Sequence, residues 1–571
     1  MSKKRPANSS ALPQTSEQDE YVDVAIVGAG VSGVYCGWRL SACAPGEAEA
    51  LLGLSKGEPG KSGRRRGRLK IRLYESDERI GGRLFSVTPP EMPHLRAEVG
   101  GMRYLTTHRL LVNLIEQLHL SSKPFPMGEK GHTLFYLRRR HLRLEDFADP
   151  AKVPYGLAWN ERGKSPAELM LYAINTVVRH AEQKTEEEWE RIKREKMIFG
   201  THMYDLGFWN LLYQILSSEA YNLIQDAGGY SSILSNWNAG EAIPWFLADF
   251  PKDVTYRTLT FGYDQLPLAL AERFEGAEGA DTKIHTGHRL TSFELPGRND
   301  KWITLNFERR KRVKARRLIL AMPRRSLELV LGKDLSEDEE LRRDVESVRP
   351  QPAAKLFLGY REPWWQVLNL TSGRSSTDLP IRQTYYFGTE CEEKGADPDN
   401  TCSLLMASYN DGPSVGFWKG LLDRKPGTNE VNHPFKGDLK NSKELDSLRA
   451  QNLIPSRGMV REAHYELKQL HGIDLYIPKP YMAIYKDWGE DPFGGGWHFW
   501  KMSQKPWEVM KRMRAPRLRG RQTPHVYVCG EAYSCNQGWV EGALKSAELL
   551  LQEHFGLKAP AWLPKDYDLG P

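Results

Sequence analysis

Short apolar runs set off by glycine recur along the chain, and the first is the most informative. Val22-Asp23-Val24-Ala25-Ile26-Val27 is apolar at every position but Asp23. That pattern fits a parallel strand covered on both faces. Gly28-Ala29-Gly30-Val31-Ser32-Gly33 follows, and Val34 to Leu40 continues as a helix. Leu69 to Tyr74 alternates as a second strand and ends at Glu75. His108 to Leu120 places apolar residues at helical spacing, and Phe135 to Leu144 reads as a hairpin with a basic tip. Pro166–His180, Ala181–Met197 and Leu206–Asp226 read as helices, the second with a charged solvent face. Strands return at Lys283–Leu290 and Arg317–Pro323. Residues 353–514 alternate strands with long loops, of which Pro413–Glu444 is expected to be mobile. A last unit pairs a strand at His525–Gly530 with a helix at Val540–His554.

The G-x-G-x-x-G after the first strand has a steric logic. Gly28 permits the tight turn, Gly30 lets a pyrophosphate approach the backbone, and Gly33 lets the helix pack on the strand. The anion would then sit on the open N–H groups of the first helical turn, where Ser32 lies. Glu75 stands where a carboxylate would accept the ribose hydroxyls of an adenosine dinucleotide. The interval is about twice the usual ~20 residues. An exposed insertion, Ala44 to Gly67, rich in Gly, Pro, Ser and charge, accounts for the excess.

Arg79-Ile80-Gly81-Gly82-Arg83-Leu84 resembles the G-G-R signature of the flavin amine oxidase family. The resemblance continues at Glu98-Val99-Gly100-Gly101-Met102-Arg103-Tyr104. It recurs at Val526-Tyr527-Val528-Cys529-Gly530-Glu531 and at Gly538-Trp539-Val540-Glu541-Gly542-Ala543. Four motifs in family order over most of the chain point to the L-amino acid oxidase branch. The resemblance implies a mixed α/β fold (with α+β parts): a Rossmann-like FAD-binding domain, a mixed-sheet substrate domain and a helical subdomain. It divides the chain into a disordered leader (1–19), FAD-binding segments (20–125, 245–352 and 515–560), a helical subdomain (126–244) and a substrate-binding segment (353–514). The first FAD-binding segment carries the exposed basic insertion at 45–67.

The same resemblance assigns roles. FAD would be wrapped by Gly28, Gly30, Ser32, Gly33, Glu75, Gly82 and Arg83, then by Gly100, Gly101, Met102 and Arg103. Leu290 would meet adenine through its backbone, and Gly530, Glu531, Trp539 and Val540 would complete the site, with Glu531 on the ribityl chain. Arg103 is the candidate grip for the substrate carboxylate, since a guanidinium binds it bidentately; pairing with a structural acid is the alternative. Lys355, on the apolar strand Ala353–Leu358, matches the lysine that holds a water against the flavin and helps the oxygen step; a snorkelling side chain is the alternative. Gly373–Pro380 followed by Tyr385-Tyr386 resembles the amino acid oxidases, and Tyr409 matches the tyrosine that helps hold the carboxylate, or packs in the core. The Gly538 carbonyl would accept from the substrate amine and Trp539 would flank it. Glu490 and Asp491 could receive a basic side chain, or simply be solvated. Asp487–Trp500 resembles the loop across the flavin ring. It lacks the cysteine that links flavin in monoamine oxidases, so FAD is expected to be noncovalent.

Composition narrows the setting. The 571 residues exceed a single core, and 16 Trp with 40% hydrophobic residues describe a globular protein. The polar N-terminus has no signal-peptide core and no apolar run spans a bilayer, so a cytoplasmic, membrane-free protein is expected. Six scattered cysteines show no metal or disulfide spacing. The net charge of +7 is local: residues 56–70 carry seven cations against Glu58, with no interleaved aromatics, so no nucleic-acid partner is expected. The expected partners are an amino acid, dioxygen and a second copy in a homodimer. The activity implied is oxidative deamination of an L-amino acid, of basic or large side chain, to 2-oxo acid, ammonia and hydrogen peroxide. The competing readings are a 2-monooxygenase giving an amide, a monoamine or polyamine oxidase, and a non-catalytic protein like the GDP-dissociation inhibitors.

Overall fold

A computed structural model describes residues 19–43, 68–128, 133–231, 235–248, 255–297, 300–308, 312–423, 443–518, 521–522 and 525–571. The leader and the basic insertion of the sequence reading lie outside the described residues, save for Asp19.

The first sheet collects strands from three distant parts of the chain. These are β1 (Glu20–Val27), β2 (Leu69–Tyr74), β3 (Ala280–His285), β4 (Leu290–Glu294), β5 (Ile303–Phe307), β6 (Val313–Ala321) and β7 (Val526–Cys529). Their order is β3-β2-β1-β6-β5-β4, with β7 also on β6. β3, β2, β1, β6 and β7 are parallel, while β5 and β4 join antiparallel. One edge of β6 is taken by β1. The other is shared: Val313 to Ala315 pair with β5, and Leu318 to Ala321 pair with β7. Side chains alternate between two separate cores. Val24 and Ile26 pack under α1 (Val31–Ser41) and α2 (Val540–Phe555), whereas Ala25 and Val27 pack against Leu327, Leu331 and Met510 on the other face. Burial on both faces is why β1 reads as an unbroken apolar run.

The second sheet runs 482–487, 353–360, 403–411, 383–389, 374–377, 134–137, 140–143. Strand Ala353–Tyr360 is buried at all eight positions. Leu356 and Leu358 face helix Arg457–His471, and Phe357 faces Val99 and Met102 on the opposite side of the sheet. Lys355 shares the Phe357 face by the two-residue period. A small sheet, 104–105 with 256–259 and 122–124, ties the two layers together, setting Leu105 opposite Tyr256.

Helices fill residues 166–247, with boundaries set by caps. The run expected at Ala181–Met197 becomes a short turn at Ala181–Gln183 and a helix at Glu186–Glu195, because Thr185 and Glu188 form a capping box. The run expected at Leu206–Asp226 breaks into Phe208–Ile215 and Ser218–Gly228. Ser217 caps the second helix and anchors to Glu161 through its N–H (2.7 Å) and hydroxyl (2.6 Å). The strand expected at Lys283–Leu290 is interrupted by a turn in which Gly287 has φ +64°, so β3 and β4 are separate. Pro413–Gly420 is a helix rather than part of a loop, and residues 424–442 lie outside the described residues. Helix Arg457–His471, in a segment expected to be strands and loops, is carried by Met459, Ala463, Leu467 and Leu470 at helical spacing. Among the described residues, no helix is long and apolar enough to cross a membrane.

Candidate active site

The turn after β1 is built as its glycines require. Gly28 sits at φ +106°, and a Cβ there would collide with the Ala321 carbonyl of β6. A Cβ on Gly33 would strike the Gly28 carbonyl, so its absence lets α1 lie directly on the turn. Beside Gly30 the nearest atom is the Gly82 Cα at 4.0 Å. α1 starts with neither a side-chain cap nor an acid in its first turn, so the positive end of its dipole is left for an anion.

That helix end opens into a cleft. Gly28, Gly30 and Ser32 form one wall, and Gly82, Arg83 and Gly101 another. Glu75 and Leu290 line one end, and the C-terminal Gly530, Glu531, Trp539 and Val540 line it from across the sheet. The Glu75 carboxylate is fixed by the N–H groups of Ala29 (2.7 Å) and Asp77 (2.9 Å). Pro492, Phe493 and Gly496 of the loop preceding Trp497 also line the cleft, and Arg83 donates to the Gly496 carbonyl (3.1 Å). Four residues expected on the cofactor do not line it. Gly33 lies under the turn, and Gly100 leaves room for the Arg83 carbonyl. Met102 is buried in the core below the second sheet, and Arg103 points beyond the cleft into the aromatic cage described below.

Glu531 is the electrostatic hub of the C-terminal wall. Its carboxylate takes an ion pair from Arg83 (2.9 Å) and N–H bonds from His498 (2.8 Å) and Gly538 (2.8 Å). Burial alone would raise its pKa, but Arg83, His498 and these donors outweigh it and hold Glu531 at about 2. An ionised carboxylate only accepts, so His498 Nδ1, 2.8 Å away, carries the proton. Burial keeps that imidazole neutral.

Lys355 Nζ donates to the backbone carbonyls of Glu98 (2.9 Å) and Gly100 (2.6 Å) and lies 4.8 Å from the Tyr409 ring centroid. It is 4% exposed, so it does not snorkel. Burial, aided by Arg103, pushes its pKa down to about 7. Burial likewise lifts Glu98 to about 7.

Arg103 stands in an aromatic cage. Its guanidinium lies 4.5 Å from the Tyr256 ring centroid, 5.5 Å from Phe125 and 5.6 Å from Tyr385. Its Nη1 donates to the Tyr385 hydroxyl (3.1 Å). Tyr409 packs on Tyr385 and Tyr230 rather than bonding Arg103 directly. No described carboxylate pairs with Arg103. The cage joins the C-terminal element through Tyr256, whose ring stacks 6.5 Å from Trp539, itself 6.2 Å from Trp245. Trp497 stacks on Trp245 (5.9 Å) and lies 3.3 Å from where a Gly538 Cβ would be. Arg103, Tyr409, Gly538 and Trp539 are thus gathered at one end of the cleft, with Lys355 behind Tyr409.

Glu490 and Asp491 are elsewhere. Both are mainly exposed, neither lines the cleft, and they pair with Lys419 (3.5 Å) and Arg325 (2.7 Å). They are not placed to receive a substrate side chain. Sequence reasoning missed Tyr230, Tyr256, Gln383 and Trp245. They come from a helix end, strand edges and a helix interior, and no local spacing joins them. Arg374 and Tyr385 lay inside a recognised motif, but nothing in that motif says that they approach Arg103.

The geometry can be set beside known proteins. A family model described as flavin containing amine oxidoreductase matches residues 51–425. The chain is 26% identical over 566 residues to aplysianin-A of Aplysia kurodai, covering 94% of this chain and 91% of that one. It is 25% identical to achacin of Lissachatina fulica, covering 95% and 94%. It is 24% identical over 515 residues to an L-amino-acid oxidase of Mus musculus, covering 88% and 68%. Among solved structures, putrescine oxidase bound to putrescine aligns with a TM-score of 0.59 at 14% identity, covering 95% of this chain and all of that one. At that identity the likeness bears on the fold.

Proposed function

The chain belongs to the flavin-containing amine oxidoreductase family, and from that premise we propose that it is an FAD-dependent L-amino acid oxidase. The observation that carries this reading is Arg103: a guanidinium without a carboxylate partner among the described residues, caged by aromatic rings and connected through Tyr256 to Trp539 on the cleft wall. An amine without a carboxylate would have no use for it. The similarity to the L-amino-acid oxidase of Mus musculus supports the same reading.

The cleft fits FAD on its own evidence: an uncapped helix end faces the glycine turn, a fixed carboxylate ends β2, and a Cβ at Gly82 would press on the Gly30 backbone. Bound there, flavin supplies two-electron oxidation and hands the electrons to dioxygen, which leaves as hydrogen peroxide. The chain's residues do the positioning. Arg103 binds the α-carboxylate and orients the α-carbon, the Gly538 carbonyl takes an N–H of the neutral amine, and Trp539 excludes water from that face. Loss of the α-hydrogen with its electron pair gives an imino acid, and water then hydrolyses it to a 2-oxo acid and ammonia. Lys355, a cation below pH ~7, stabilises negative charge developing on oxygen. A peroxide assay against L-amino acids, with mass spectrometry of the product, tests the reading. Product amide in place of 2-oxo acid, or no peroxide at all, would overturn it.

Two results are expected. Flavin leaves with the supernatant when the protein is denatured in acid, because no cysteine lines the cleft; flavin retained on the polypeptide would contradict this. Lys355→Met slows consumption of dioxygen by reduced enzyme roughly a hundredfold, with little change in the anaerobic reduction rate. In the parent enzyme that oxygen step falls as pH rises through about 7, where Lys355 loses its proton, and the variant lacks this inflection. Equal slowing of both half-reactions would assign Lys355 a purely structural role. The enzyme's partners are an amino acid and dioxygen, and its six free cysteines suit a reducing cytosol.

A further inference from the structure

A second guanidinium belongs to the Arg103 cage. Arg374 Nη1 donates to Gln383 Oε1 (2.8 Å), and the same oxygen accepts from the Tyr385 hydroxyl (3.2 Å), which in turn accepts from Arg103 Nη1 (3.1 Å). Gln383 Nε2 donates to the Gly229 carbonyl (3.3 Å), which fixes Oε1 toward the two donors. Arg103 and Arg374 are therefore at most three hydrogen bonds apart. Neither forms an ion pair with a described carboxylate, and the titratable groups that act most on them are Tyr385, Tyr230 and, for Arg103, Tyr256. Both arginines, with Tyr230, Tyr256 and Tyr409 around them, are partly rather than fully buried.

Resting on the oxidase reading above, we infer that the substrate is an acidic L-amino acid, aspartate or glutamate, with Arg103 holding the α-carboxylate and Arg374 the side-chain carboxylate.

Two partly buried cations without an anion are costly, and a guanidinium left unpaired in a low-dielectric site is costlier than a paired one. A monocarboxylate would neutralise one of them. A dicarboxylate the size of aspartate or glutamate spans three hydrogen bonds and neutralises both, each bidentately. A lysine or arginine side chain would meet like charge here, and Glu490 and Asp491, the acids that could have offset it, are committed to Lys419 and Arg325. The local field is visible in Tyr385: burial would raise its phenol, but Arg103 and Arg374 pull it down to about 8.

Calorimetry on the holoenzyme tests the pair without turnover, using glutarate against butanoate. Glutarate binds at least tenfold more tightly. Arg374→Gln erases that difference by weakening glutarate far more than butanoate, and Arg374→Lys retains part of it. Unaltered flavin content shows that the variants are folded. In steady state, L-glutamate or L-aspartate has the highest kcat/KM, about a hundredfold above its own amide, and Arg374→Gln removes the advantage. Equal binding of glutarate and butanoate, or a glutarate preference that survives Arg374→Gln, overturns the inference. Flavin bleached by L-leucine or L-lysine but not by L-glutamate or L-aspartate overturns it while leaving the oxidase reading intact. Flavin that no amino acid bleaches overturns both.

Discussion

Replacing Arg103 by alanine lowers kcat/KM for the amino acid by two orders of magnitude or more, about 3 kcal/mol, without releasing flavin. The size follows from what is lost. In the proposed mechanism the guanidinium fixes the carboxylate, and through it the direction of the α-hydrogen, so both binding and orientation fail together. The side chain faces the Tyr256, Phe125 and Tyr385 rings rather than the dinucleotide cleft, so the cofactor site keeps its walls. Stopped-flow reduction and a flavin-to-protein absorbance ratio measure the two halves of the claim. An unchanged kcat/KM would remove Arg103 from the site. Loss of flavin along with activity would make it a structural residue.

Glu531→Ala destabilises the protein by about 3–5 kcal/mol and empties the cleft of cofactor. The variant strands the partly buried Arg83 charge and leaves the His498 and Gly538 N–H groups without their acceptor. The linkage has a definite sign. The Glu531 pKa is about 2 in the folded chain against an ordinary 4.5. Its contribution, on the order of 3 kcal/mol, is therefore complete above pH 4.5 and fades as pH falls toward 2. Urea unfolding at pH 7 and at pH 3 reads it directly. The gap between parent and variant narrows at the lower pH, and a gap that is equal at both, or absent at pH 7, contradicts the assignment.

The cofactor site was largely legible because its requirements are backbone requirements. Gly28 and Gly33 are dictated by a turn and a close contact, and β1 by burial on both faces, so each leaves a trace within a few residues. The cage was legible only at Arg103 and Tyr409. Tyr256 and Tyr230 reach Arg103 through the pairing of strand 104–105 with 256–259 and the end of helix Ser218–Gly228, and such long-range register has no local period. Glu490 and Asp491 show the reverse error. Acids beside a glycine loop look available in sequence, but ion pairs with Arg325 and Lys419 claim them. The helix boundaries at Thr185 and Ser217 were misplaced because capping residues were read as helix interior.

The sharing of β6 between β1 and β7 imposes an order on biosynthesis. Residues 526–529 fill an edge of the strand that residues 20–27 already flank, and Glu531 and Trp539 follow directly after them. A ribosome that has delivered the first five hundred residues has made a nucleotide site with one wall missing. Flavin capture must then be a post-translational event, and a nascent chain stalled or truncated before its last segment stays colourless.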